Sequence, residues 1–269
     1  MYSDLDGTMV GPGGCFVRDS AGALTMEPTR ALIELLGAGI ELVLVSGRTR
    51  AQLQEASRIF GAEGFIAEMG AIIGWDFGRR SSVLTGAAPP DFGGPLVEQL
   101  ESVGLIDALI AQFDGHVTHH APWHLGHETD VMMQGHVDVD DVEKWLVSQG
   151  YDWLTFVDNG RLPHRTMPGV DGPIHVYHLM ARGLSKGRGI AVDLERRGLR
   201  ADEAIAVGDS LSDLDMAGYV QQMFVVANGA AIPAIHQAAA ALSNVTLCEA
   251  DVGQGWAQAA RWAAAQQGQ

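Results

Sequence analysis

The chain is short of positive charge and of cysteine. Of 269 residues only 17 are Lys or Arg, against 33 Asp or Glu, for a net charge of -16. That balance repels nucleic acid and anionic membrane surfaces, and favours a small-molecule or metal-assisted task. Cys15 and Cys248 are the only cysteines and stand far apart, which excludes a disulfide framework and a cysteine-based zinc site and implies two reduced thiols. No run approaches the roughly 18 apolar residues of a membrane span, and the acidic N-terminus has no basic segment leading into an apolar stretch. A cytoplasmic location is the resulting expectation. Internal repeats and low-complexity linkers are also absent. With 47% hydrophobic residues, the chain can bury one large core or a core with a smaller domain.

Lysine is the scarcest charge. Fifteen of the 17 basic residues are Arg, leaving Lys144 and Lys186. Lys144 lies in the polar, helix-like stretch Val142-Glu143-Lys144-Trp145 and reads as solvated surface. Lys186, in Ser185-Lys186-Gly187 at a helix start, suits a compact ammonium that holds a phosphate as a point charge.

What is present alternates. Glu27 to Leu36 has helical spacing, with Thr25 as candidate cap and Gly37 and Gly39 as stops. Ile40 to Val45 is a branched, apolar run suited to a buried parallel strand, followed by Ser46-Gly47-Arg48 and a helix from Thr49 to Phe60. Further strands are expected at Phe65 to Ala67 and Ala71 to Trp75. Strand, turn and helix in this order predict an α/β doubly wound parallel, Rossmann-like sheet, with ligands beyond the carboxyl ends of its strands.

From Phe77 to Pro95 the composition turns to Gly, Pro, Ser and Ala, with breakers at Pro89-Pro90 and Gly93-Gly94-Pro95. An inserted α+β domain over 79–183 is expected there, between core segments 1–78 and 184–269. Its elements would be a helix from Pro95 to Phe113, extended pieces at His116 to His120 and Thr129 to Gly135, a helix from Asp138 to Gln149, and strands at Trp153 to Val157 and Ile174 to His178. The core pattern then resumes: helix Lys186 to Arg197, strand Ala204 to Val207, helix Leu211 to Gly218, strand Met223 to Val226 and helix Ala230 to Ala241. The Ala-rich tail with Trp256 and Trp262 reads as a docking helix.

Near the start stands Asp4-Leu5-Asp6-Gly7-Thr8. Two carboxylates two residues apart can divide phosphoryl transfer, one attacking phosphorus and the other handling the leaving-group proton. Alone, an Asp-x-Asp-Gly is more often a turn. Its weight rises because Asp4, Ser46, Lys186 and Asp209 all fall at strand ends or helix starts, which a parallel sheet gathers at one edge. Gly208-Asp209-Ser210-Leu211-Ser212-Asp213 adds further carboxylates. An EF-hand loop is the rival there, but its internal Gly and distal Glu are missing. Two like charges at about 4 Å repel by about 4 kcal/mol at an effective dielectric near 20. Lys186 alone cannot offset several carboxylates, and a hard cation such as Mg²⁺ can.

These four segments, in this order and spacing, resemble the motifs of the haloacid dehalogenase-like phosphatases. The insertion between the second and third resembles the type-C2 cap of the branch that holds the Cof, sucrose-phosphate and mannosyl-3-phosphoglycerate phosphatases; the run His175-Val176-Tyr177-His178 ahead of Lys186 is similar to the latter two. The resemblance implies a phosphomonoester hydrolase acting on a small sugar phosphate or related phosphorylated metabolite. Asp4 would be the nucleophile that forms an aspartyl-phosphate, and Asp6 the acid and base. Mg²⁺ would be held by Asp4, the Asp6 main-chain carbonyl and Asp209, with Asp213 behind them. Ser46, Gly47, Arg48 and Lys186 would bind the phosphate. Neither nucleic acid nor membrane is an expected partner, and the oligomeric state stays open. Alternatives are a phosphomannomutase-like transfer to sugar instead of water, and a non-hydrolytic phospho-accepting or sugar-phosphate-binding module.

Three departures from the family pattern stand out. Only Met1, Tyr2 and Ser3 precede Asp4, where a strand has roughly 5 to 6 residues, so the first strand is expected to be short or to begin upstream. Ser212 stands where the family often has Asn, and Glu68-Met69-Gly70 where many members have Glu-Asn-Gly. In the cap, His116, His119, His120, His124 and His127, with His136, leave three readings open: a zinc site, contacts to a polar substrate, or ordinary hydrogen-bonded side chains. Arg161, His164 and Arg165 form a second polar cluster, suited to an anionic group or simply to a basic surface loop.

Overall fold

The computed structural model describes residues 1–90, 95–162 and 165–266. Gly93, Gly94 and His164 therefore lie outside the described residues. The chain divides into two compact units, Met1–Val83 with Ser185–Gln269, and Leu84–Leu184.

The first unit opens with β1 (Tyr2–Ser3), then α1 (Glu27–Gly37), β2 (Val43–Val45), α2 (Arg50–Phe60), β3 (Gly64–Ala67), β4 (Ile72–Trp75) and β5 (Arg80–Val83). Thr49 starts α2 with a capping box: its hydroxyl accepts from the Gln52 amide, and the Gln52 side chain accepts from the Thr49 amide. The cap unit follows: α3 (Leu96–Ser102), α4 (Leu105–Gln112), β6 (Val117–His119), β7 (Asp130–Gly135), α5 (Val139–Ser148), β8 (Leu154–Arg161) and β9 (His175–Ala181). The first unit resumes with α6 (Lys186–Arg197), β10 (Ile205–Gly208), α7 (Leu211–Leu214), β11 (Gln222–Val225), α8 (Ala227–Ala230), α9 (Pro233–Ala240), β12 (Val245–Leu247) and α10 (Val252–Gln266).

Eight strands form the larger sheet in the order β12-β11-β10-β1-β2-β3-β4-β5. From β12 to β3 every pairing is parallel; β4 and β5 extend the edge antiparallel. The sequence pattern anticipated neither β5 nor β12. Both are short edge strands with exposed residues, so they lack the apolar run that marks a buried strand.

The two-residue β1 sits at the centre, between β10 and β2. Other contacts compensate for its brevity. Tyr2 donates its hydroxyl to Asp193 on α6 at 3.0 Å, and the Trp256 indole of α10 donates to Ser3 Oγ at 2.9 Å. Trp256 is wholly buried and meets Phe16 edge-on. The tail docks as expected, and truncating Trp256 to Ala would cost about 3–5 kcal/mol.

In the cap unit, a four-stranded antiparallel sheet runs β6-β7-β9-β8. Val117, Val131, Met133, Phe156, Tyr177 and Leu179 from its strands pack with Leu100, Leu105, Leu109, Val142 and Leu146 from α3, α4 and α5. The single helix expected from Pro95 to Phe113 is two: Gly104 adopts φ 72°, outside right-handed helical space, and starts α4. Likewise Pro233 opens a separate α9 after α8. Asp138 caps α5, accepting from the amides of Asp140 and Asp141. Among the described residues no helix is long and apolar enough to cross a membrane. Cys15 and Cys248 are both free thiols.

Candidate active site

Parallel neighbours deliver the site. In register, Ser3 of β1 faces Val207 of β10 and Leu44 of β2, so the residues just beyond these strands emerge side by side. They are Asp4, Asp209 and Ser46. The Asp4 amide donates to Val207 O at 3.0 Å, which fixes the nucleophile candidate to the strand beside it. Lys186 enters as the first residue of α6, whose cap Ser185 accepts from the Arg188 amide.

Lys186 Nζ donates to Asp4 Oδ1 at 2.9 Å and to Asp213 Oδ1 at 2.6 Å, with all three side chains buried. Asp213 Oδ2 accepts from the amides of Asp209 and Ser210 and from the Ser210 hydroxyl, at 3.0, 2.9 and 2.6 Å. Carboxylate oxygens of Asp4, Asp209 and Asp213 lie within 4.8 Å of one another. Asp209 Oδ1 accepts from Thr8 Oγ1 at 3.0 Å. At Gly7, φ is +86° and a Cβ would lie 2.4 Å from Asp209 Oδ2. Any side chain there would displace the carboxylate, so glycine serves both the turn and the approach.

Three carboxylates against one ammonium leave this cluster two charges in excess when all are ionised. The protein answers by shifting protons. Burial pushes the Asp4 carboxyl up to about 7, Asp213 and Asp6 push the same way, and Lys186 opposes them. Asp209 is raised well above the usual carboxylate range by burial and then by Asp4 and Asp213. For Asp213, burial is overcome by Lys186 and the Ser210 donors, which hold it below that range. Burial works against the Lys186 ammonium, but Asp213 and Asp4 keep it protonated. A divalent cation fits this donor set. All the side-chain ligand atoms are hard oxygens, and the excess charge equals that of the ion.

Asp6 points elsewhere. Its half-exposed carboxylate receives two bonds from Arg48, Nε at 2.7 Å and Nη2 at 2.6 Å. This fork is the bidentate geometry to which guanidinium is suited. Gly47 lies in the turn between β2 and α2, and the buried Ser46 hydroxyl accepts from the Arg48 amide at 3.2 Å.

Asn228 escaped the sequence reading. Its Nδ2 donates to Gly7 O at 2.9 Å and reaches Asp209 Oδ2 at 3.4 Å, while its Oδ1 accepts from the Val252 amide at 2.8 Å. Like Ser46 and Asp209, it follows the carboxyl end of a parallel strand, β11. That position was the available signal.

The cap histidines separate into distinct contacts. His119 and His124 stack with ring centroids 4.6 Å apart. His120 pairs with Gln134 at 2.9 Å, and His136 Nδ1 donates to Pro173 O at 3.0 Å. His127 and His178 share the two oxygens of buried Asp130, the former at 2.5 Å. Burial works against the Asp130 charge, but the two imidazoles hold its carboxyl well below the usual range. Arg165 Nε donates to Gln134, and Arg161 ends β8.

A family model described as haloacid dehalogenase-like hydrolase matches residues 168–251. Among curated proteins, the chain is 27% identical over 217 residues to a phosphoglycolate phosphatase of Methanopyrus kandleri, covering 79% of this chain and 77% of that protein. It is 23% identical over 226 residues to another from Methanococcoides burtonii, covering 84% and 81%. Among solved structures, a Thermoplasma acidophilum protein superposes with a TM-score of 0.65 at 17% identity, over 97% of this chain and 96% of that one. The sucrose-phosphatase of Synechocystis, solved with sucrose and phosphate, gives 0.64 at 15% identity and the same coverage. The chain thus shares the fold of these proteins, and its residues 168–251 match the model of the haloacid dehalogenase-like hydrolases.

Proposed function

We propose that this protein is a Mg²⁺-dependent phosphatase that cleaves a small sugar phosphate or related phosphorylated metabolite through a phosphoryl group carried on Asp4. The observation that carries the proposal is the convergence of Asp4, Lys186, Asp209 and Asp213 beyond the carboxyl ends of adjacent parallel strands. Phosphatase names among the relatives support the reaction class, and the phosphoglycolate phosphatases and the sucrose-phosphatase support a small substrate.

Asp4 Oδ attacks phosphorus as the bond from phosphorus to the substrate alcohol oxygen breaks. Asp6, protonated at this stage, gives its proton to that oxygen. Water then attacks the phosphorus on Asp4, Asp6 takes the water proton, and inorganic phosphate leaves with Asp4 restored. Lys186 orients Asp4 and supplies fixed positive charge to the phosphoryl oxygens. Ser46 and Arg48, at the neighbouring strand end, complete the phosphate contacts, and the Arg48 fork orients the Asp6 carboxylate once it has given up its proton. A divalent cation, held by Asp4, the Asp6 main-chain carbonyl and Asp209 with Asp213 behind them, would neutralise charge on the carboxylates and on the transferring group.

The test is phosphate release by the full chain from phosphoglycolate and a panel of sugar phosphates, with Mg²⁺ or with chelator. Mg²⁺-dependent release is expected from at least one of them. Isomerised sugar phosphate without released phosphate would replace the hydrolase with a mutase, and no turnover with bound phosphate would indicate a binding module.

A further inference from the structure

We infer that Asn228 is a positioning residue for the metal-ligand set, clamping Asp209 and the Asp4–Thr8 loop to each other; the inference rests on the metal-dependent reading above. Its amide orientation is fixed by its partners. The Val252 N–H can only donate, so Asn228 Oδ1 must face it, at 2.8 Å. The Nδ2 group then necessarily faces Gly7 O at 2.9 Å and Asp209 Oδ2 at 3.4 Å.

The backbone around Asn228 is committed to this arrangement. Val252, a buried β-branched residue, holds φ +37° while presenting its N–H to Asn228, a conformation tolerated only where surrounding contacts impose it. On the other side, a Cβ on Gly229 would lie 2.2 Å from Asp209 O, so this short segment rests directly on the Asp209 backbone. With Thr8 Oγ1 on Asp209 Oδ1, each carboxylate oxygen has one donor, and the two donors come from different parts of the chain.

A neutral amide suits the task chemically. It restrains Asp209 without adding a fourth carboxylate to a cluster that already exceeds its ammonium by two charges, and it leaves lone pairs on both Asp209 oxygens for a cation. Through Gly7 O it also holds the loop whose neighbouring residue, Asp6, offers its main-chain carbonyl. Partners that orient ligands in this way typically set metal affinity by about 10–100-fold.

The experiment follows the Mg²⁺ midpoint of thermal stabilisation, with phosphate release measured in parallel, for wild type, Asn228→Ala, Asp209→Asn and the double variant. Asn228→Ala is expected to raise the midpoint about tenfold and to lower turnover at limiting Mg²⁺ more than at saturating Mg²⁺. In the Asp209→Asn background the same substitution should move the midpoint little, because the carboxylate it restrains is gone. A purely structural asparagine would lower the metal-free melting temperature and leave the midpoint within twofold of wild type in Asn228→Ala; that result overturns the inference. Should Asn228→Ala not fold, the side-chain amide resonance of Asn228 in ¹⁵N-labelled wild type decides: it should shift along the Mg²⁺ titration, and a resonance that stays fixed while Mg²⁺ binds overturns the inference. Wild type that binds no Mg²⁺ would overturn the metal-dependent reading itself.

Discussion

Replacing Asp4 by Asn should make the metal-free protein more stable, although it removes the proposed nucleophile. Burial and the neighbouring carboxylates lift Asp4 from an ordinary 3.8 to about 7 in the folded chain. Between those values the folded state binds more protons than the unfolded state, so stability falls as pH rises through that window. Above it, both states are ionised and the full difference applies. Three units at 1.36 kcal/mol each come to about 4 kcal/mol. Asn has the shape of the neutral acid and avoids this cost. Urea unfolding in chelator at pH 8 should show Asp4→Asn more stable by up to about 4 kcal/mol, with the gap less than half as large at about pH 5. Mg²⁺ at a hundredfold excess over its dissociation constant should return about 2.7 kcal/mol to the wild type and less to the variant. A variant equal to or less stable than wild type at pH 8 without metal would refute the reasoning, because the cluster would then not be burdened by excess negative charge.

Lys186→Ala strands two buried carboxylates and should destabilise the metal-free protein by about 3–5 kcal/mol, while raising the substrate concentration needed for turnover; an unchanged urea midpoint would count against it. Asp209→Ala should abolish stabilisation by Mg²⁺ while preserving the circular dichroism of the fold, and an unaltered Mg²⁺ titration would remove Asp209 from the ligand set. Asp130 works with the opposite sign to Asp4: its carboxyl is held low despite burial, so it contributes stability that is present above the ordinary 3.8 and lost as pH falls below it. Asp130→Asn should therefore lose stability at neutral pH and show a flatter acid-unfolding profile, and a profile as steep as that of wild type would argue otherwise.

Local pattern carried the layout of the candidate site further than it carried the cap. Asp4, Ser46 and Asp209 were legible because one rule, ligands beyond the carboxyl ends of parallel strands, picks them from spacing alone, and Lys186 because it is a rare lysine at a helix start. The same rule extends to Asn228 after β11, but a neutral Asn in Ala227-Asn228-Gly229-Ala230 carries no charge or motif that marks it. Arg48 was visible as a candidate phosphate contact, yet its fork on Asp6 depends on how the turn after β2 meets the turn after β1, and no periodicity encodes that. Helical spacing ran across Gly104 and Pro233, where backbone geometry divides the helices. The cap histidines read as a cluster because they crowd a short segment. In the fold they diverge, since β7 supplies separate partners in Gln134 and Asp130 and the segment ahead of β9 supplies the Pro173 carbonyl.

The central claim is that Asp4 carries the phosphoryl group. Its most direct test is an acid quench of the wild-type chain during turnover of its best phosphomonoester with Mg²⁺, followed by peptide mass spectrometry. The account predicts a phosphorylated peptide containing Asp4 in the wild type and none from Asp4→Asn, which should also release no phosphate. A phosphoryl group on another residue, or turnover that persists in Asp4→Asn, would contradict it.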